Sequence, residues 1–212
     1  MRKVIPSVLT EKIDDLERKV RELEPFADVI QVDIMDGEFV PYRSVGIGDV
    51  EKVGIRSQME IHLMVKHPIR YIQSFARIGA FRIVFHVESD DNPENVIREI
   101  KQFGLEAGIA LVPDTAVEDV KPLLNLVDFV LILGVNPGRQ GQKFIPEVLS
   151  KVQVIKDIRP EIVVEVDGGV NPDTGPAIVD AGVDILNVGS YFFKPPSVKN
   201  NWEQMQKIIS GK

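Results

Sequence analysis

The sequence predicts an α/β protein whose strands close into a single (β/α)8 TIM barrel. Short runs rich in β-branched residues alternate with amphipathic or capped segments along all 212 residues, which is typical of parallel strands joined by helices. One run, residues 127–133, is apolar except for Asp128, as expected for a strand covered on both faces. The chain has eight such runs, and this number favours a closed barrel.

The predicted elements follow one another in a regular order. The strands are expected at residues 3–9, 28–35, 58–64, 81–87, 106–112, 127–135, 162–167 and 183–188. The clearest helix signals are Thr10 before 11–16, Asn92-Pro93 at the start of 93–103, Asp173 before 174–181, and a closing segment at 199–209. A doubly wound open sheet is the alternative, but it requires a glycine-rich turn after the first strand, and residues 6–10 (PSVLT) are not one. We therefore expect one domain over residues 1–212.

Composition excludes several kinds of partner. Acidic residues outnumber basic ones, 32 to 25, so the net charge of -7 repels polyanions and no nucleic-acid partner is expected. The absence of cysteine excludes disulfides and thiolate zinc sites, and it favours a reducing, cytoplasmic location. No stretch approaches the roughly 18 apolar residues of a membrane span, so we expect no membrane partner.

Polar side chains recur at every second position of three predicted strands, so one face of each strand carries ionisable groups. These faces are Gln31, Asp33 and Met35, then Glu60, His62 and Met64, and then Val163, Glu165 and Asp167. Because barrel active sites lie at the carboxyl ends of the strands, we expect Asp33, His62 and Asp167 to converge. They could bind a divalent metal or act as acid and base. Taken singly, the two aspartates are also typical of strand-end turns, and His62 and His86 of buried structural histidines.

Glycine-rich turns follow the sixth, seventh and eighth predicted strands, at 135–142 (VNPGRQGQ), 167–170 (DGGV) and 188–190 (VGS). Such turns expose backbone N–H groups, and the loops after the last two strands often hold phosphate in these barrels. A local cluster of N–H groups can bind a small anion in spite of the negative net charge. The sequence therefore predicts a phosphate site next to the carboxylates.

In combination and in this order, the segments resemble the ribulose-phosphate 3-epimerase family over nearly the whole chain. The matching segments are 6–9 (PSVL), 32–41 (VDIMDGEFVP), 62–65 (HLMV), 86–88 (HVE), 135–144 (VNPGRQGQKF), 165–172 (EVDGGVNP) and 189–190 (GS). The resemblance implies a barrel of the ribulose-phosphate-binding type that interconverts D-ribulose 5-phosphate and D-xylulose 5-phosphate. It also implies one divalent metal ion, which would be Zn, Fe, Mn or Co.

By the same resemblance, Asp33 and Asp167 are metal ligands and also the acid/base pair, and His62 is a further ligand. A carboxyl group on each side is the minimum needed to invert a carbon next to a ketone, because one proton leaves from one face and another arrives on the other. The candidate substrate contacts are Ser7, Met35, His62, Met64, Gly138, Arg139, Gln140, Gly141, Gly168, Gly169, Gly189 and Ser190. The expected partners are a small sugar phosphate and further copies of the chain in a homo-oligomer.

Three residues depart from the family pattern inside the site. Gln31 stands where the family has a metal-binding histidine, and an amide oxygen is a weaker ligand for zinc or iron. Leu133 stands where a third methionine is usual, and Arg139-Gln140 replaces Phe-Gly. The alternatives are therefore a 3-epimerase of another ketose phosphate, such as a ketohexose 6-phosphate, or a phosphosugar-binding paralogue with weakened catalysis. A barrel lyase or decarboxylase ranks last, because residues 33–37 (DIMDG) lack the lysine such enzymes use.

Overall fold

The computed structural model describes residues 2–139 and 141–211, and its eight parallel strands close into a barrel in chain order. This architecture confirms the predicted fold class. The strands are β1 (Lys3–Val8), β2 (Val29–Met35), β3 (Gln58–Met64), β4 (Ala80–His86), β5 (Glu106–Leu111), β6 (Phe129–Leu133), β7 (Val163–Asp167) and β8 (Ile185–Val188). The helices are α1 (Ile13–Leu23), α2 (Ile47–Val53), α3 (Ile69–Arg77), α4 (Pro93–Gln102), α5 (Val117–Val120), α6 (Ser150–Ile158), α7 (Gly175–Asp180) and α8 (Val198–Ser210). Short 3-10 turns cover Lys121–Leu123, Pro146–Leu149 and Ser190–Phe193.

The helix starts agree with the sequence in one case and differ in two. The Asn92 side chain caps α4 by accepting the Asn95 N–H at 3.1 Å, as predicted. Thr10 was expected to cap the first helix, but α1 starts at Ile13, and the Thr10 hydroxyl accepts the Lys12 N–H instead. Asp173 does not cap α7 either, because the Asn171 side chain accepts the Asp173 N–H in the turn after β7. Both predictions placed the helix too close to the preceding strand.

The core has two parts, one outside and one inside the barrel. Ile30, Val32 and Ile34 of β2 are buried in the layer between strands and helices, as their shared parity predicts. Inside the barrel, an apolar cluster on β4, β5 and β6 consists of Val84, Ala110, Phe129, Leu131 and Leu133. The remaining strands contribute mainly polar side chains to the interior, so the polar site lies against one half of the barrel. No helix of the two described ranges is long and apolar enough to cross a bilayer.

A buried ionic layer forms the floor beneath the site. The Arg82 guanidinium lies 2.7 Å from Glu165, contacts Glu60, and stacks on the Phe129 ring at 4.5 Å. Burial and the charge of Glu165 raise the pKa of Glu60, and burial also raises the pKa of Glu165. One cation thus faces two carboxyl groups here, and the interior carries an excess of acidic groups.

Candidate active site

A cavity of about 200 Å³ opens at the carboxyl ends of the strands and brings most predicted site residues together. It is lined by Asp33 from β2, His62 from β3 and Asp167 from β7. The other predicted contacts along its wall are Ser7, Met64, Gly138, Arg139, Gly141, Gly168, Gly169, Gly189 and Ser190. Met35 is not in the wall, because its side chain is buried against Met64 and Val40. Gln140 lies outside the described residues.

Asp33, His62 and Asp167 form a compact buried triad. One ligand atom from each lies within 4.8 Å of the others, and His62 Nδ1 is 3.0 Å from Asp33 Oδ1 and 3.9 Å from Asp167 Oδ2. Burial lowers the pKa of His62, but the hydrogen bond to Asp33 and the charges of Asp33, Asp167 and Glu165 together outweigh it, so the pKa is raised. Two carboxylates and an imidazole are an ordinary ligand set for zinc, manganese, iron or cobalt. Because their ligand atoms lie so close together in a buried site, these residues fit a divalent cation.

One of the two aspartates, Asp167, tends to hold a proton near neutral pH. Burial and the charge of Asp33 raise the pKa of Asp167 to about 7, although hydrogen bonds from Gln31 and the Gly168 N–H act in the opposite direction. A carboxyl group that titrates near neutral pH can serve as an acid in one half-reaction and a base in the other. Asp167 is thus suited to either role.

A hydrogen-bonded chain runs from the triad toward the rim through His86 and Glu88. His62 Nε2 lies 3.0 Å from His86 Nε2, and His86 Nδ1 lies 3.2 Å from the Glu88 carboxylate. Because an ionised carboxylate only accepts, His86 Nδ1 carries a proton, and His86 Nε2 is left to accept from His62 Nε2. His62 Nε2 therefore donates to His86, and Nδ1, the atom that a metal would need, faces the aspartates. His86, expected as a structural histidine, thus contacts the site.

Gln31 lies fully buried beneath the two aspartates. Its Nε2 donates to Asp33 and to Asp167, and its Oε1 accepts from Asn187 on β8. The amide thus presents nitrogen, and not oxygen, to the triad. A ligand role for Gln31 stays a prediction, and the observed contacts are those of a hydrogen-bond donor.

The glycine turns after β7 require residues without a side chain. Gly168 and Gly169 have φ angles of 93° and 72°, in the left-handed region that favours glycine. A Cβ on Gly169 would lie 2.9 Å from the Phe144 Cα, and one on Gly168 would lie 2.5 Å from the Val135 Cγ2. The backbone therefore forms this wall of the cavity directly, which is how phosphate-binding turns approach their ligand.

Two cations border the same end of the cavity. Arg139 stacks over the Tyr42 ring at 4.7 Å, and the exposed Lys194 lines the wall next to Ser190. Sequence reasoning missed Lys194, although a lysine shortly after the last glycine turn was a usable signal. It also missed Asn187 and gave Glu88 no role. Asn187 breaks the apolar run of β8, but its partner Gln31 is 156 residues away, so only the closed barrel reveals the contact.

Two carboxylates and an imidazole at the mouth of a (β/α)8 barrel, beside glycine turns on its last strands, define a barrel enzyme of the phosphate-binding class. The chain belongs to the ribulose-phosphate 3 epimerase family, whose model matches residues 3–193. A protein named ribulose-phosphate 3-epimerase from Chlamydia trachomatis is 34% identical to it, over 98% of this chain and 92% of its own. One of the same name from Bacillus subtilis is 38% identical, over 90% of this chain and 91% of its own. A cytoplasmic isoform from Oryza sativa subsp. japonica is 37% identical over 99% of this chain and 95% of its own. The protein is thus an isomerase of the epimerase type, and the pentose phosphate pathway fits this family.

Solved structures with low sequence identity share the fold. A 3-hexulose-6-phosphate synthase from Salmonella typhimurium superimposes with a TM-score of 0.76 at 14% identity, covering 100% of this chain and 99% of its own. A phosphoribosyl anthranilate isomerase from Thermococcus kodakaraensis superimposes with a TM-score of 0.67 at 20% identity, covering 100% of this chain and 99% of its own. At these identities the likeness concerns the barrel alone.

Proposed function

We propose that the protein interconverts D-ribulose 5-phosphate and D-xylulose 5-phosphate by proton transfer between two carboxyl groups. The observation that carries this proposal is the placement of Asp33 and Asp167, from β2 and β7, on one cavity with their oxygens within 4.8 Å of the same His62 atom and of each other. The sequence-based hypothesis needed this convergence, and aspartates on separate surfaces would have ruled it out. Family membership supports the same reaction type.

Each carboxyl group transfers a proton on one of the two faces of the substrate. One aspartate removes the proton from the carbon next to the ketone, and the other delivers a proton to the opposite face, so the configuration inverts. In the metal-free protein the pKa of Asp167 is about 7, so this carboxyl group is suited to hold the proton that is delivered in one direction and to accept it in the other. Buried apolar side chains, Met64 and Leu133, line the same cavity and limit the access of water.

A divalent cation held by Asp33, His62 and Asp167 would polarise the ketone oxygen and stabilise the negative charge that develops on it. The phosphate would lie at the other end of the cavity, against Gly168, Gly169, Gly189 and Ser190. There the backbone can approach closely, and the Lys194 charge favours an anion. The substrate is thus oriented with its phosphate on β7 and β8 and its reacting carbon between the aspartates.

Substrate profiling tests this proposal. Protein stripped with a chelator and reloaded with Zn²⁺, Mn²⁺, Fe²⁺ or Co²⁺ should convert D-ribulose 5-phosphate with a higher kcat/KM than a ketohexose 6-phosphate. A higher kcat/KM for the hexose would favour the alternative 3-epimerase, which the unusual Arg139 at the phosphate end makes a specific candidate. Binding of both sugars without any conversion under all four metals would favour the phosphosugar-binding paralogue and contradict an epimerase role.

A further inference from the structure

The Gln31 side chain joins the two aspartates through one amide group. Its NH2 group donates to Asp33 Oδ1 at 2.8 Å and to Asp167 Oδ2 at 2.6 Å. These same two oxygens are the ones that face His62 Nδ1. With no exposed surface, the amide is shielded from water, so both hydrogen bonds form in a medium of low polarity where they are strong.

The orientation of this amide is fixed from below by Asn187. Asn187 Nδ2 donates to Gln31 Oε1 and lies 3.2 Å and 3.1 Å from the carboxylates of Glu60 and Glu165. Carboxylates accept hydrogen bonds and an amide oxygen cannot donate one. A reversed Gln31 would set its oxygen against Asp33 and Asp167, so the contacts on both sides select the observed orientation.

We propose that Gln31 is a positioning residue, an amide clamp that holds Asp33 and Asp167 together without a cation and competes with a cation for the same two oxygens. If these two oxygens held a cation, they would have less electron density to offer, and their hydrogen bonds from Gln31 would be weaker. The clamp should therefore lower metal affinity and stabilise the metal-free protein. Its value for catalysis rests on the proposed acid/base pair, whereas the competition itself is a binding property that can be measured without substrate.

Three variants test the clamp. Gln31→Glu has nearly the same shape but replaces the two N–H donors by a ligand oxygen, and Gln31→His supplies an imidazole. Gln58→Glu makes the same amide-to-acid change at an exposed position on the first residue of β3 and serves as the control. Both Gln31 variants should bind Zn²⁺ or Co²⁺ at least about tenfold more tightly by calorimetry. Their metal-free Tm should fall by at least about 2 °C, and the control should change neither quantity.

The side-chain amide resonance of Gln31 gives a second readout in the unmodified protein. We expect slow solvent exchange of its NH2 protons without metal, and a large shift in ¹⁵N–¹H spectra when Zn²⁺ is added. Metal affinities and melting temperatures equal to those of the wild-type protein in both Gln31 variants would overturn the proposal. If a variant does not fold with or without metal, the wild-type resonance decides, and exchange as fast as that of an exposed glutamine would also overturn it. None of these results depends on whether the protein epimerises a pentose phosphate.

Discussion

Glu88 touches none of the three triad residues, yet its hydrogen bond to His86 sets the donor and acceptor roles in the contact between His86 and His62. One of its oxygens accepts from His86 Nδ1, and the other accepts the Val112 N–H at 3.0 Å and the Thr115 hydroxyl. Burial lowers the pKa of His86, so that ring is neutral and has one donor and one acceptor. The proton on His86 Nδ1 points to Glu88, so His86 Nε2 has none and accepts from His62 Nε2.

The Glu88→Gln variant should reverse which partner donates in the hydrogen bonds from residue 88 to His86 and from His86 to His62. The new amide oxygen would keep the hydrogen bonds from Val112 and Thr115, so its NH2 group would donate to His86 Nδ1. His86 Nε2 would then donate to His62, which would leave His62 Nδ1 protonated toward the aspartates. We expect metal affinity to fall about 10- to 100-fold, with an exchange of the two His62 nitrogen resonances in ¹⁵N spectra. The chain has three histidines, which makes the assignment simple.

Glu94→Gln, on the exposed first turn of α4, is the matched control and should leave both quantities unchanged. Unaltered His62 resonances in Glu88→Gln would show that Glu88 does not set the tautomer.

At the scale of elements, the turn after β7 forms the part of the cavity wall that we propose to bind phosphate. Its shape depends on two consecutive glycines with positive φ angles and on the Phe144 backbone, which packs directly against Gly169. The Asn171 and Thr174 side chains bind the Gly169 carbonyl at 2.9 Å and hold the turn from the other side. A side chain at Gly169 therefore has no room, and the wall itself must move.

Gly169→Ala should weaken both stability and phosphate binding. A left-handed φ costs a residue with a Cβ about 1 kcal/mol, and the clash with Phe144 adds about 1–3 kcal/mol. We expect a several-fold higher KM for the sugar phosphate with a smaller change in kcat. Gly182→Ala is the control, because Gly182 has a φ of 89° with open space around it. Equal losses of stability and equal KM values in the two variants would contradict the role of close packing at Gly169.

The elements themselves were largely predictable from the sequence. Short runs rich in β-branched residues identified all eight strands to within two residues at either end, because such residues favour the strand conformation. The starts of α1 and α7 were not predictable, since Thr10 and Asn171 use their side chains in turns that precede the helix. Whether a short polar side chain caps a helix or closes a turn depends on the length of the loop, which local sequence does not specify.

For the whole molecule, the dominant feature is the concentration of acid inside the barrel. Four acidic residues share the interior with Arg82, namely Asp33, Glu60, Glu165 and Asp167. Burial raises the pKa of Glu60, Glu165 and Asp167. A group whose pKa is higher in the folded state keeps a proton that the unfolded chain has already lost. Its contribution to stability is therefore present at low pH and is lost as the pH rises through the folded pKa.

Metal-free protein should thus become less stable as the pH rises from about 4 to 7. For Asp167, with a folded pKa of about 7 against 3.8 when unperturbed, the loss is at most about 1.4 kcal/mol per pH unit. The Asp167→Asn variant lacks this titration, so its stability should fall less steeply over the same range in denaturant unfolding. Parallel pH profiles for the two proteins would show that Asp167 titrates normally.

The position of the central triad was predictable from the sequence, and the hydrogen bonds around it were not. Strand parity and the barrel rule were enough to place Asp33, His62 and Asp167 at one cavity. The orientation of the Gln31 amide was not predictable, because it depends on the contact with Asn187, which forms only when β8 pairs with β1. It also depends on whether the two aspartates accept hydrogen bonds from the amide. Met35 has the expected parity but packs with Met64 and Val40 outside the cavity wall. The homo-oligomeric state stays a prediction.

Epimerisation in D2O tests the central claim, that Asp33 and Asp167 transfer protons on opposite faces of one carbon. Metal-loaded wild-type protein should give D-xylulose 5-phosphate that carries one solvent deuteron at the inverted carbon. Asp33→Asn and Asp167→Asn, assayed with saturating metal, should each lose turnover by about 10²- to 10⁴-fold. Product without deuterium, or wild-type turnover in either variant, would contradict the account.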